Sequence, residues 1–129
     1  MMENKKQNVG KQGEDEACFF LQNEGHRIVA RNWRNEHREL DIVSLKQGAI
    51  HIVEVKTRTA PVAAPPELNV NYGKRAKLVA AAKAFLHSTE FRSLHLDDAE
   101  LFFDVITVVL EETGPTIEYY PKAFIPIYV

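Results

Sequence analysis

Asp41, Glu54 and Lys56 are the residues whose types and spacing carry the most chemistry in this sequence. They sit in two segments of strand-forming residues, Glu39–Leu45 and Ala49–Thr57, separated by Lys46, Gln47 and Gly48. Gly48 supplies the positive φ that a tight hairpin needs. With a two-residue loop at Gln47 and Gly48, Lys46 faces Ala49, Val43 faces Ile52 and Asp41 faces Glu54. Directly opposed residues of an antiparallel pair have Cβ atoms about 4.5 to 5.5 Å apart on one face, and Lys56 shares that face by strand periodicity. Two carboxylates so close repel unless a cation lies between them. Hard oxygen ligands suit Mg²⁺ or Mn²⁺, which bind through one or two carboxylates plus substrate phosphates and keep several waters. Lys56 would then orient or deprotonate a water, or offset charge in a phosphodiester-cleaving transition state. Glu39 shares the face of Asp41 and is a further candidate ligand or supporting group. Glu14, on the inward stripe of a first helix with Ala17, Cys18 and Leu21, can reach the same cavity. The same charges also fit an ordinary salt-bridged cluster at a strand end.

The elements that must hold these residues follow from pattern. Apolar residues at helical spacing predict a helix from about Lys11 to Glu24, stopped by Gly25, with the first nine residues as a frayed tail. His26–Arg34 reads as a first strand. On the hairpin, Val43, Leu45, Ile50 and Ile52 make an apolar floor that ends at the charged cluster, while Leu40, Ile42, Val53 and Val55 occupy the other face, so both sides are covered. The proline-bearing stretch Arg58–Asn69 reads as a surface loop. Tyr72–His87 has the spacing and alanine content of a second helix. Leu101–Leu110 is apolar enough for a central strand, and Thr116–Phe124 adds an edge strand limited by Pro121. The order is αβββαβ plus that edge strand. Lys74, Arg75 and Lys77 begin the second helix, and with Arg58 they either grip phosphates near the site or form a solvated face.

Composition narrows the partners. The 129 residues, 45% hydrophobic and 26% charged, fit one domain spanning 1–129. A formal net charge of −2 argues against coating nucleic acid by bulk electrostatics. There is no apolar run long enough for a membrane span and no signal-peptide core, so the expectation is a cytoplasmic protein with no membrane partner. Lone Cys18 reads as a small buried hydrophobe. The five histidines show no metal-ligand spacing. Asp104, inside an apolar strand, is either a supporting group of the site or a satisfied buried carboxylate, and Tyr119, Tyr120, Phe124 and Tyr128 fit an edge cover or a dimer contact.

Taken in order, GKQGEDEACFFLQNEGHRIVARNWR, ELDIV, HIVEVKTR, KRAKLVAAAKAFL and FFDVITV resemble the small bacterial YraN-like family of the restriction-endonuclease-like, PD-(D/E)xK superfamily. Gly13-Glu14, Glu39-x-Asp41 and Glu54-Val55-Lys56-Thr57-Arg58 are its most specific segments, and their positions are also similar to those of archaeal Holliday-junction resolvases. Arg38 stands where the family usually places a glycine. The resemblance implies a restriction-endonuclease-like α/β core, a central mixed four- to five-stranded sheet flanked by two helices. It implies Glu14, Asp41, Glu54 and Lys56 as metal and catalytic residues, with DNA as the substrate class. The expected function is a Mg²⁺- or Mn²⁺-dependent nuclease acting on DNA, branched or damaged structures included, with a homodimer supplying two sites. The rival expectation is a non-catalytic module binding nucleic acid or a protein partner on the same fold.

Overall fold

Polar sequence conceals where the first helix starts. The computed structural model describes residues 5–62 and 72–124. In it α1 spans Lys5–Asn23, so the tail expected over the first nine residues is helical from Lys5 onward. The segment Lys5–Gly10 holds a single large apolar residue, Val9, and so carries no periodic signal of its own. The helix closes where expected, with the His26 N–H donating back to the Leu21 carbonyl at 2.9 Å.

Five strands follow: β1 (Arg27–Asn35), β2 (Arg38–Lys46), β3 (Ala49–Thr59), β4 (Leu101–Glu111) and β5 (Gly114–Phe124), in spatial order β1-β2-β3-β4-β5. Neighbours are antiparallel except β3 and β4, which are parallel. A parallel pair needs a long crossover, and α2 (Tyr72–Leu86) lies within it. The sheet is therefore mixed and the class α/β. Two details differ from expectation. Arg58 and Thr59 extend β3 instead of opening a loop, and most of the proline-bearing stretch lies outside the described residues. A short third helix, α3 (Thr89–Arg92), is N-capped by Ser88, whose Oγ accepts the Phe91 N–H at 3.2 Å; one turn is too brief to leave a periodic signal.

Gln47 and Gly48 take φ of 51° and 79°, the two positive values of a hairpin turn whose twist suits its strands. That turn sets the register, from Lys46↔Ala49 through Ser44↔His51 to Ile42↔Val53. Each face of the sheet then packs against one helix. Val43, Ile50, Ile52, Phe103 and Val105 bury against Val79, Ala82 and Phe85 of α2. Ile42, Val53, Ile106 and Val108 bury against Ala17, Cys18 and Leu21 of α1. Each large aliphatic side chain so enclosed contributes roughly 1.5–3 kcal/mol.

One residue breaks the alternation. Leu40 belongs with the α2-side core although Ile42, two residues on, belongs with the α1 side; strict period two would have kept them together. The pairs Arg31↔Ile42 and Trp33↔Leu40 place Asn32 opposite Asp41, and Asn32 has φ of 49°. Asparagine tolerates that conformation better than most residues, and the kink turns Trp33 and Leu40 together toward α2.

A second irregularity explains Asp104. Pairing of β4 with β5 shifts between Phe103 and Val105, beside Pro121, which has no N–H to give to a ladder. The buried Asp104 carboxylate accepts the main-chain N–H of Lys122 at 2.9 Å beside that shift, together with the Tyr119 hydroxyl at 2.5 Å and His51 Nδ1 at 2.6 Å. It is thus a satisfied structural carboxylate. Among the described residues no helix is long and apolar enough to cross a membrane.

Candidate functional site

The site lies where two strands part. The β2–β3 ladder ends at Ile42↔Val53, while β3 continues beside β4 to Thr59↔Leu110. At this fork the Asp41 side chain takes over from main chain, its Oδ2 accepting the Val55 N–H at 3.0 Å. Asp41 and Glu54 line one cavity of about 500 Å³, walled on the α2 side by Lys74, Lys77 and Leu78 and at its rim by Glu36, His37, Arg38 and Glu39. On the α1 side Asp41 lines a smaller cavity of about 220 Å³ with Gly10, Glu14, Val55 and Thr57. Because the alternation slips at Asp41, this carboxylate meets both sides of the sheet.

Its electrostatics reflect the crowding. Burial, then the Glu54 and Glu14 charges, push the Asp41 carboxyl up to about 7, against the lowering effect of the Val55 N–H. Burial also raises Glu14 above its ordinary value. Glu14 Oε1 is buried with no hydrogen-bond partner; the Arg31 guanidinium lies 3.9 Å away, too far for a hydrogen bond, and is held by Asp15 at 2.7 Å.

The four-carboxylate shell of Asp41, Glu54, Glu14 and Glu39 does not assemble. Glu14 approaches from the α1 side, whereas Glu39 is 67% exposed and pairs with Arg34 at 3.5 Å. Among the described residues no set of three or more carboxylate, imidazole or thiolate side chains stands ready to hold one ion. The donor set that remains, two acidic side chains on one cavity with an orphaned carboxylate oxygen beside them, fits a hard cation that keeps most of its waters.

The basic residues divide. Lys56 follows Glu54 on β3, partly buried and opposite Thr107 of β4. Lys74 reaches down from α2 to Glu54 Oε1 at 2.5 Å, and Lys77 lines the same cavity. Arg75 instead lies over the Phe124 ring, 5.2 Å from its centroid. Arg58 is exposed at the end of β3 and donates to the Thr57 carbonyl at 2.8 Å. Of the four cations read from sequence as either phosphate grips or a solvated face, Lys74 and Lys77 line the cavity, with Arg58 and Arg75 directed elsewhere.

Two features escaped the spacing argument. Lys74 was recognisable as a cation, but its pairing with Glu54 joins elements far apart in sequence. Gly13 lies so close to β3 that a Cβ there would stand 1.8 Å from Thr57 Oγ1; the glycine lets α1 approach and present Glu14. The Gly-Glu pair at 13–14 was the only signal of it.

The family described as "Uncharacterised protein family UPF0102" matches residues 13–108, a span that holds every carboxylate of the site. Similar chains include a UPF0102 protein of Bacteroides thetaiotaomicron, 40% identical over 118 residues (92% of this chain and 93% of the relative). Another, from Parabacteroides distasonis, is 34% identical over 116 residues (90% and 91%), and one from Nitratidesulfovibrio vulgaris is 39% identical over 116 residues (90% and 83%). With matches of this extent, the chain belongs to the uncharacterised family UPF0102, the YraN-like family that its motifs resemble.

Proposed function

We propose that the protein is a Mg²⁺- or Mn²⁺-dependent nuclease acting on cytoplasmic DNA, including branched DNA, by hydrolysis of a phosphodiester bond. The observation that carries this reading is the pair of carboxylates, Asp41 and Glu54, facing one cavity at a strand fork whose opposite wall is basic. Asp41 and Glu54 would hold the ion, with Glu14 supporting from α1. Bound there, the ion would supply Lewis acidity to a phosphodiester. Lys56 orients the attacking water or offsets negative charge developing on the phosphoryl oxygens. Lys77, and Lys74 once released from Glu54, position the phosphate backbone. A homodimer would present two such sites to the two strands of a duplex.

The test is cleavage of supercoiled plasmid and of a four-way junction with Mg²⁺ or Mn²⁺. Wild type is expected to cut and Asp41→Asn to be inactive. The Glu54–Lys74 pair favours a second reading, a non-catalytic module binding nucleic acid or a protein partner, in which the chain's own ammonium neutralises the acidic site. Junction binding without cleavage in either metal would make that reading the better one.

A further inference from the structure

We propose that Lys74 is an exchangeable counter-ion of the carboxylate site: it holds Glu54 while no cation is bound, and a divalent cation frees it to contact a nucleic-acid phosphate. This deepens the nuclease reading and rests on it. Lys74 Nζ stands 2.5 Å from Glu54 Oε1, so the ammonium and an incoming cation compete for one oxygen. The two partners are unequally exposed. The Glu54 side chain is 11% exposed on β3, whose main chain there pairs with Val105 of β4, whereas the Lys74 side chain is 48% exposed at the end of a flexible stem. When the pair breaks, the lysine is the member that moves.

The geometry supplies a reason for the pair to exist. Asp41 and Glu54 face the same cavity, and without a cation their repulsion would work against closing β2 onto β3. Lys74 offsets that repulsion with one positive charge. A divalent ion brings two charges and can contact both carboxylates. Once displaced, Lys74 remains on the cavity wall beside Lys77, where a phosphate drawn to the ion would meet it. Metal and polyanion then bind cooperatively, because each favours the arrangement in which Lys74 has left Glu54.

The experiment is Mn²⁺ titration followed by electron paramagnetic resonance on wild type, Lys74→Gln and Lys77→Gln. Lys77→Gln removes an equal charge from the same wall but leaves the Glu54 pair in place. Breaking a partly exposed ion pair should tighten Mn²⁺ binding roughly three- to tenfold in Lys74→Gln, with a clearly smaller change in Lys77→Gln. In gel-shift measurements Lys74→Gln should weaken four-way-junction binding more with Ca²⁺ than with EDTA. Equal Mn²⁺ affinity in wild type and Lys74→Gln, or equal effects of the two substitutions, overturns the exchange while the metal site stands. Junction binding weakened equally with and without Ca²⁺ overturns the release to phosphate. Absence of Mn²⁺ binding in wild type and Lys74→Gln alike overturns the metal reading and the exchange with it.

Discussion

Asp41 is a carboxylic acid held near its point of half-ionisation at neutral pH. Its folded value of about 7 is raised from 3.8, so the stability it contributes is fully present below about pH 4 and is lost as pH rises through about 7. Asp41→Asn imitates the protonated form and still offers an oxygen to the Val55 N–H. The substitution should therefore stabilise the protein at pH 8 by on the order of 3 kcal/mol and leave it unchanged near pH 4, which urea titrations at the two pH values would check. A bound cation must expel the same proton, so wild-type Mn²⁺ affinity should climb between pH 6 and 8, as calorimetry would measure. Lys56 is expected to behave differently: Lys56→Ala should retain Mn²⁺ affinity while cleavage falls by about two orders of magnitude. Cleavage at the wild-type rate would make Lys56 structural.

Among the elements, α1 offers a controlled comparison between two glycines. A Cβ at Gly10 would meet nothing within 4 Å, while one at Gly13 would strike Thr57 Oγ1 at 1.8 Å. Gly10→Ala should therefore gain roughly 0.5–1 kcal/mol of helix propensity. Gly13→Ala should lose about 1–3 kcal/mol by overpacking and pull Glu14 away from Asp41; thermal unfolding of the two variants gives opposite signs if α1 sits as described. The elements themselves were legible to different degrees, for physical reasons. The β2–β3 register was readable because Gln47-Gly48 leaves only one favourable way to close the hairpin. The slip that sends Leu40 to the α2 side was not, since it depends on Asn32 adopting a left-handed conformation in the neighbouring strand. The early turns of α1 were hidden because helix formation there is not announced by an apolar stripe. Asp104 was visibly anomalous within LFFDVITVVL, but its purpose required knowing that Pro121 would lie beside it.

For the whole molecule, the acidic fork at Asp41 and a buried imidazole cluster shape stability in opposite directions. His26 is buried, accepts or donates through Nδ1 to Ser44 Oγ at 2.9 Å, and packs edge-on to His51 with centroids 4.8 Å apart. Burial first, then His51 and Lys46, lower it from 6.5 to about 4. Stability from keeping His26 neutral is present above pH 6.5 and is lost as pH falls toward 4, whereas the Asp41 contribution rises over the same interval. The two slopes offset one another in wild type. Asp41→Asn should thus become more acid-sensitive between pH 6.5 and 4, and adding His26→Gln should flatten the profile again, as urea midpoints across that range would report. Sheet topology adds a consequence in time. Ile42↔Val53 belongs to a local hairpin, whereas Ile50↔Leu101 joins residues 51 positions apart in the chain, and contacts close in sequence form at lower entropic cost than distant ones. On that ground Asp41 and Glu54 are expected to meet as two like charges before α2 delivers Lys74, with an electrostatic barrier early in folding as the consequence. Asp41→Asn should speed refolding at pH 8 more than it slows unfolding, and a stopped-flow chevron whose unfolding arm alone moved would put the meeting of the carboxylates after the rate-limiting step.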